Sequence, residues 1–271
     1  MPQIQLKYNN QIDVIDIPGN WNELSHQQLL YIAEYWEAWK LLAKNNQSLL
    51  RAKALLFVEL MCGNTLSNKK KRVDLLAKLQ NEELYELTEL TNFIFEANTL
   101  TVCPIPRIKT LFQKLHAPND KLGNLTAFEF AFADSFFMKY IDNADILQLD
   151  LMIATLYRPL IWSGRRKAFD KDKIESYLPA VKKLAYAEKQ LILLWYQGCR
   201  IKIIEDNRTL FSKENQSSAK NKGWISIILA MSGDKFGSFD ETGNTDLHLI
   251  FMELNELKER ATPKKKGDVQ P

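Results

Sequence analysis

The chain has 271 residues, with 36 Lys and Arg against 33 Asp and Glu, for a formal net charge of +3. That balance argues against a dedicated polyanion binder, and 46% apolar with 25% charged residues excludes a chain disordered throughout. Ten Gly and nine Pro are too few for the turns of a many-stranded sandwich or barrel, so helix is favoured.

Cys62, Cys103 and Cys199 are widely spaced and odd in number, which fits no disulfide framework and suits a reducing compartment. Met1 to Gln5 lacks the cationic-then-apolar order of a secretory signal. The most apolar stretches, such as Ala52 to Cys62 and Leu191 to Tyr196, fall short of the ~20 residues that span a bilayer. A soluble protein of the cytoplasm is expected.

Residues 4–17 alternate apolar and polar residues about Asn9-Asn10, the pattern of a β-hairpin, and Pro18-Gly19 stops it. An isolated hairpin is marginal in water, so this one should dock on the rest of the chain or add to a partner's sheet. Ser25-His26-Gln27-Gln28 forms a capping box, with Leu24 and Leu29 as its staple, and predicts a helix through Trp39-Lys40 that Asn45-Asn46 ends. A second helix is predicted from about Ser48 to Met61, closed by Gly63-Asn64, and two more over Leu75–Leu79 and Leu84–Phe95.

The two prolines of Cys103-Pro104-Ile105-Pro106 impose an extended approach, so residues 99–118 read as a connector with a short helix after it. Leu125-Thr126-Ala127-Phe128-Glu129-Phe130 gives a second capping box, opening a helix whose five phenylalanines, Phe128 to Phe137, demand cover on two sides. The helical run Ile146 to Tyr157 ends at Arg158-Pro159, residues 160–169 form a loop, and Asp170 caps a short helix with Phe169 and Ile174 as its staple. A long helix follows from about Pro179 to Ile204. Ser212 to Asn221 reads as a mobile loop, Trp224 to Met231 as a buried helix and Asp246 to Arg260 as a final one. The predicted architecture is thus mainly α, a multi-helix domain over 20–260 that permits a subdivision near 117–125. It carries an N-terminal β-hairpin over 1–18 and a disordered tail over 261–271.

His26, His116 and His248 are spaced for no metal site, and no phosphate-cradling glycine loop or nucleophile elbow is present. Gly233-Asp234-Lys235-Phe236-Gly237 reads as the closing cap of a helix, and the carboxylate pairs fall at helix starts, where the helix dipole suffices to explain them. No catalytic residue, cofactor or metal is assigned.

Basic runs occur at 69–72, 165–167 and 264–266; a solvated face or tail is the simpler reading, with phosphate contact as the alternative. In the middle run, Trp162 and Phe169 flank Arg165 and Arg166, the composition of a partner-binding patch, against which stands a plain loop. Arg158, in the last turn before Pro159, reads either as a helix-ending cation or as the residue that fixes the 160–169 loop, with Tyr157 beside it. The partner-binding candidates are therefore Tyr157, Arg158, Trp162, Arg165, Arg166 and Phe169.

Pro104-Ile105-Pro106, Leu125-Thr126 with Phe128-Glu129-Phe130 and Ala133-Asp134, Leu149-Asp150 to Leu156-Tyr157-Arg158-Pro159, and Arg165-Arg166 with Phe169 stand in order along the chain. The series runs on through Leu194-Trp195-Tyr196-Gln197-Gly198-Cys199-Arg200, Gly223-Trp224 and Phe236-Gly237-Ser238-Phe239. This ordered set, over about 100–260, resembles proteins encoded in the tail-gene regions of phages and prophages of Bacteroidetes. The resemblance implies a tail assembly factor, chaperone-like and without catalysis, that binds a tube or tape-measure protein in the host cytoplasm. The alternatives are a structural virion component near the connector or baseplate, or a nucleic-acid-binding protein.

Overall fold

The computed structural model describes residues 3–8, 11–42, 46–62, 77, 81–110, 113–208, 210, 224–233 and 235–261. The protein is mainly helical, with two-stranded antiparallel sheets as its β structure. It divides into two compact units. Met1–Pro104 with Ala185–Ile201 form the first, and Ile105–Leu184 with Lys202–Pro271 form the second. The 117–125 segment lies within the second.

In the first unit, β1 (Gln3–Tyr8) pairs antiparallel with β2 (Gln11–Asp16), Tyr8 facing Gln11. Helix α1 (His26–Glu34) starts on a complete capping box: Ser25 accepts from the Gln28 backbone while Gln28 Oε1 accepts from the Ser25 N–H at 2.8 Å. One helix through Trp39-Lys40 was expected, but α1 ends at Tyr35, whose φ of −104° and ψ of 10° leave the helical region, and α2 (Trp36–Leu42) follows. The Trp36 ring meets the fully buried Trp21 edge-on at 5.6 Å. Helix α3 spans Asn46–Cys62.

The predicted Leu84–Phe95 helix is also divided, into α4 (Asn81–Glu89) and α5 (Asn92–Phe95), because the Thr88 and Thr91 hydroxyls bond back to the carbonyls of Tyr85 and Thr88 at 2.8 Å. Residues 98–101 are held by three contacts of this unit. Asn98 Nδ2 donates to the Leu194 carbonyl at 2.7 Å, Trp195 Nε1 donates to that of Thr101 at 3.2 Å, and Gly198 abuts the Leu100 backbone.

In the second unit the expected short helix after the prolines is replaced by strands β3 (Arg107–Lys109) and β4 (Lys114–His116). Only Ile108 and Leu115 point inward from them, so each strand is too short to display an alternation. Helix α6 (Ala127–Asn143) packs against α7 (Ile146–Leu156), and Ala144 in the left-handed region makes the turn between them. Asp170 caps a 3-10 turn, Lys171–Lys173, that leads into α8 (Ile174–Val181).

The continuous Pro179–Ile204 helix is not observed. Helix α8 closes with the Lys182 N–H on the Leu178 carbonyl at 2.8 Å, and α9 (Tyr186–Asp206) opens where Glu188 Oε2 accepts from the Ala185 N–H.

Residues 186–201 of α9 belong to the first unit; helices α10 (Trp224–Met231), α11 (Phe239–Gly243) and α12 (Leu247–Ala261) complete the second. Ala127, Ala131, Ile228 and Ile250 form a shared core, and the Trp224 ring stands edge-on to Phe130 and Phe251. Helix α10 is not buried throughout as predicted. It rests on this core by one face, so Ile228 is buried whereas Leu229 is 63% exposed. Gly233 and Gly237 exchange backbone hydrogen bonds at φ of 138° and 77°, a loop closure that requires glycine at both positions.

The predicted Leu75–Leu79 helix apart from Ala77, the basic runs 69–72 and 264–266, the Ser212–Asn221 loop and the C-terminal tail after Ala261 lie outside the described residues.

Candidate partner-binding loop

Thr126 caps α6 by accepting from the Glu129 N–H at 3.3 Å, as the sequence pattern predicts. The Glu129 carboxylate is also taken by two arginines from later in the chain. Arg158 Nη2 donates to Glu129 Oε2 at 2.5 Å, and Arg166 Nη2 donates to Glu129 Oε1. All three side chains are buried, Glu129 completely. Burial pushes the Glu129 carboxyl above the ordinary carboxylate range, against the pull of the Arg166 and Arg158 guanidiniums. Burial likewise brings the Arg158 guanidinium down to about 10, with Glu129 opposing the shift.

Backbone geometry orients both arginines. Arg158 follows α7 and pairs with the edge of β4: its N–H donates to the His116 carbonyl at 3.1 Å and its carbonyl accepts from the His116 N–H at 2.7 Å. The chain then turns back on itself as a closed loop. Lys167 N–H bonds the Pro159 carbonyl and Ile161 N–H bonds that of Arg165, both at 2.8 Å, while Gly164 supplies a φ of 78° at the turn. Arg166 adds a bond from Nη2 to the Leu156 carbonyl at 2.5 Å and a long contact to Asn124 Oδ1 at 3.4 Å.

The six sequence-predicted residues thus divide by role. Tyr157 is buried, its hydroxyl donating to the Ile105 carbonyl at 2.6 Å. Arg158 and Arg166 anchor the loop from inside. Arg165 is exposed, and Trp162, at the turn, is 99% exposed. Phe169 is half-buried; its ring lies 5.5 Å from that of Phe132 and 5.9 Å from the Arg158 guanidinium carbon.

Sequence reasoning missed Glu129 as the anchor, since a Glu three residues after a Thr cap reads as a local capping partner. Nothing local marks its pairing with residues 29 and 37 positions away.

Among the described residues, no three His, Cys, Asp or Glu side chains gather as metal ligands, and no helix is long and apolar enough to cross a membrane. His26 lies against the Pro104 carbonyl at 3.1 Å, and Cys199 is buried with its Sγ 3.7 Å from the Thr101 carbonyl. Compared with protein-family models, with curated proteins and with solved structures, the chain finds no match in any of the three.

Proposed function

We propose that this protein is a non-catalytic assembly factor for a phage tail, which binds a tube or tape-measure protein through the 160–169 loop. The observation that carries the reading is the contrast within that loop. Two buried arginines gripping one carboxylate hold its base, while the Trp162 indole stands 99% exposed at its tip. Loops that carry function are typically set on a rigid scaffold, and Trp and Arg are the residues that dominate binding hot spots. A pre-ordered loop loses little conformational freedom on binding, which favours affinity. The ordered resemblance of residues 100–260 to tail-region proteins supplies the class of partner. The test is co-expression with phage tail tube and tape-measure proteins. Co-purification that Trp162→Ala abolishes supports the reading, and folded, soluble protein that captures neither overturns it.

A second reading is a structural virion component, with β1–β2 adding to a neighbour's sheet. It draws on the two-stranded pairing of that hairpin and on the exposure of Val14 within it. Mass spectrometry of purified particles separates the two, because an assembly factor is missing from them.

A further inference from the structure

Phe169 belongs to the anchored loop but also lines a half-open cavity of about 460 Å³ in the second unit, a size that suits a ligand or several partner side chains. Phe128 and Phe132, one turn apart on α6, and Phe239, at the start of α11, join it in the lining. The four rings form two tilted or edge-to-face pairs, Phe128 with Phe239 at 5.0 Å and Phe132 with Phe169 at 5.5 Å. Gly243 is packed so closely on Phe128 that a Cβ there would lie 2.1 Å from the ring, so this wall is built to one shape.

Among the side chains that line the cavity, the charge is mostly acidic, although the Arg158 guanidinium lies 5.9 Å from the Phe169 ring. Asp170, Asp172 and Asp240 contribute three exposed carboxylates to the lining, against the single ammonium of Lys171. No ion pair joins any of the three to a cation among the described residues. Asp170 accepts the Asp172 N–H as the cap of the 3-10 turn, and Asp172 and Asp240 stand in first turns, yet all three keep their negative charge at the edge. Aromatic faces attract cations through their quadrupole, and carboxylates without an ion-pair partner add a longer-range attraction of the same sign.

We infer that this cavity is a docking pocket for a protein segment that inserts an arginine or lysine together with an adjacent apolar side chain, the apolar part on the phenylalanines and the cation toward Asp170, Asp172 and Asp240. The inference goes beyond the proposed function, since it holds for a tail protein or for any other protein partner.

The probe is a fluorescein-labelled helical peptide that presents Leu and Arg four residues apart, compared with the same peptide carrying Glu for each Arg, with binding read as fluorescence anisotropy. The Arg peptide binds, weakens with added salt, and weakens about tenfold toward the triple variant Asp170→Asn, Asp172→Asn, Asp240→Asn. These substitutions are on exposed side chains and Asn keeps the cap at position 170, so unchanged circular dichroism is the control for folding. Phe239→Leu also weakens the Arg peptide while leaving its salt dependence in place. Equal binding of the Arg and Glu peptides, or full binding by the triple Asn variant, overturns the inference. A tail protein that co-purifies undiminished with the triple Asn variant leaves the assembly-factor reading standing and removes this pocket from it. Arg-peptide binding by a protein that captures no tail component does the reverse.

Discussion

Glu129, in the first turn of α6, accepts a hydrogen bond from Arg166, 37 residues further along the chain on the 160–169 loop. Its second carboxylate oxygen accepts from Arg158, so one buried carboxylate ties the end of α7 and the returning arm of the loop to the start of α6. Removing one member of a buried ionic group leaves the others desolvated and unpaired, which costs more than the group contributes when intact. Glu129→Gln is therefore expected to destabilise the protein by about 3–5 kcal/mol, measured by urea denaturation. The same variant should loosen the loop before global unfolding, so limited trypsin digestion at Arg165 to Lys167 should accelerate under native conditions.

A pH dependence follows from the neighbouring strand. His116 on β4 faces Arg107 across the sheet and shares its strand with Lys114. Burial first, then the charges of Arg107 and Lys114, hold its imidazole below the ordinary range. The unfolded chain then takes up a proton at higher pH than the folded one, so stability falls as pH drops through the ordinary imidazole range and is restored above it. Urea midpoints between about pH 5 and 8 should show this slope, and His116→Gln should flatten it.

Gly243→Ala tests how the aromatic cavity is built. A Cβ at this position would lie 2.1 Å from the Phe128 ring, which must then leave its edge-to-face contact with Phe239. Forcing a methyl into such packing should cost about 1–3 kcal/mol in thermal or chemical denaturation. Binding of the Arg peptide should fall with it.

Gly198→Ala makes the corresponding test in the first unit. Here the added Cβ meets backbone, 2.2 Å from the Leu100 carbonyl oxygen and 2.8 Å from its nitrogen, atoms that no rotamer change can move. The substitution raises helix propensity by about 1 kcal/mol, yet the clash should dominate and give a net loss of stability in denaturation experiments.

Much of the local structure was legible in the sequence, because helix starts and stops are short-range chemistry. Ser25 with Gln28, Thr126 and Asp170 act within a few residues and sit at the boundaries they mark, whereas the helix expected to hold Arg158 in its last turn ends at Leu156 with Tyr157 as its cap, and Arg158 pairs with His116 instead. Breaks inside periodic stretches were not legible. Tyr35 carries no glycine or proline signal, and α9 starts at Tyr186 after Ala185, without a Ser, Thr, Asp or Asn cap, the Ala185 N–H being served by Glu188. Strands β3 and β4 are three residues each and hide below any alternation.

For the site, the residue types were visible but not their division into buried anchors and exposed tip. Arg158, Arg165 and Arg166 are the same residue type, and nothing beside them in the sequence marks which are buried. Burial was decided by Glu129, which takes Arg158 and Arg166 and leaves Arg165 and Trp162 outside.

The proposed function makes the exposed Trp162 a contact residue of the 160–169 loop. With 99% of its surface free, Trp162→Ala should leave stability within about 0.5 kcal/mol of the parent. The deciding measurement is the affinity of purified parent and Trp162→Ala proteins for the co-expressed tube or tape-measure partner by titration calorimetry. Trp162→Ala should lose about 2 kcal/mol or more, roughly thirtyfold in Kd, with stability unchanged. Equal affinity of the two proteins would contradict it.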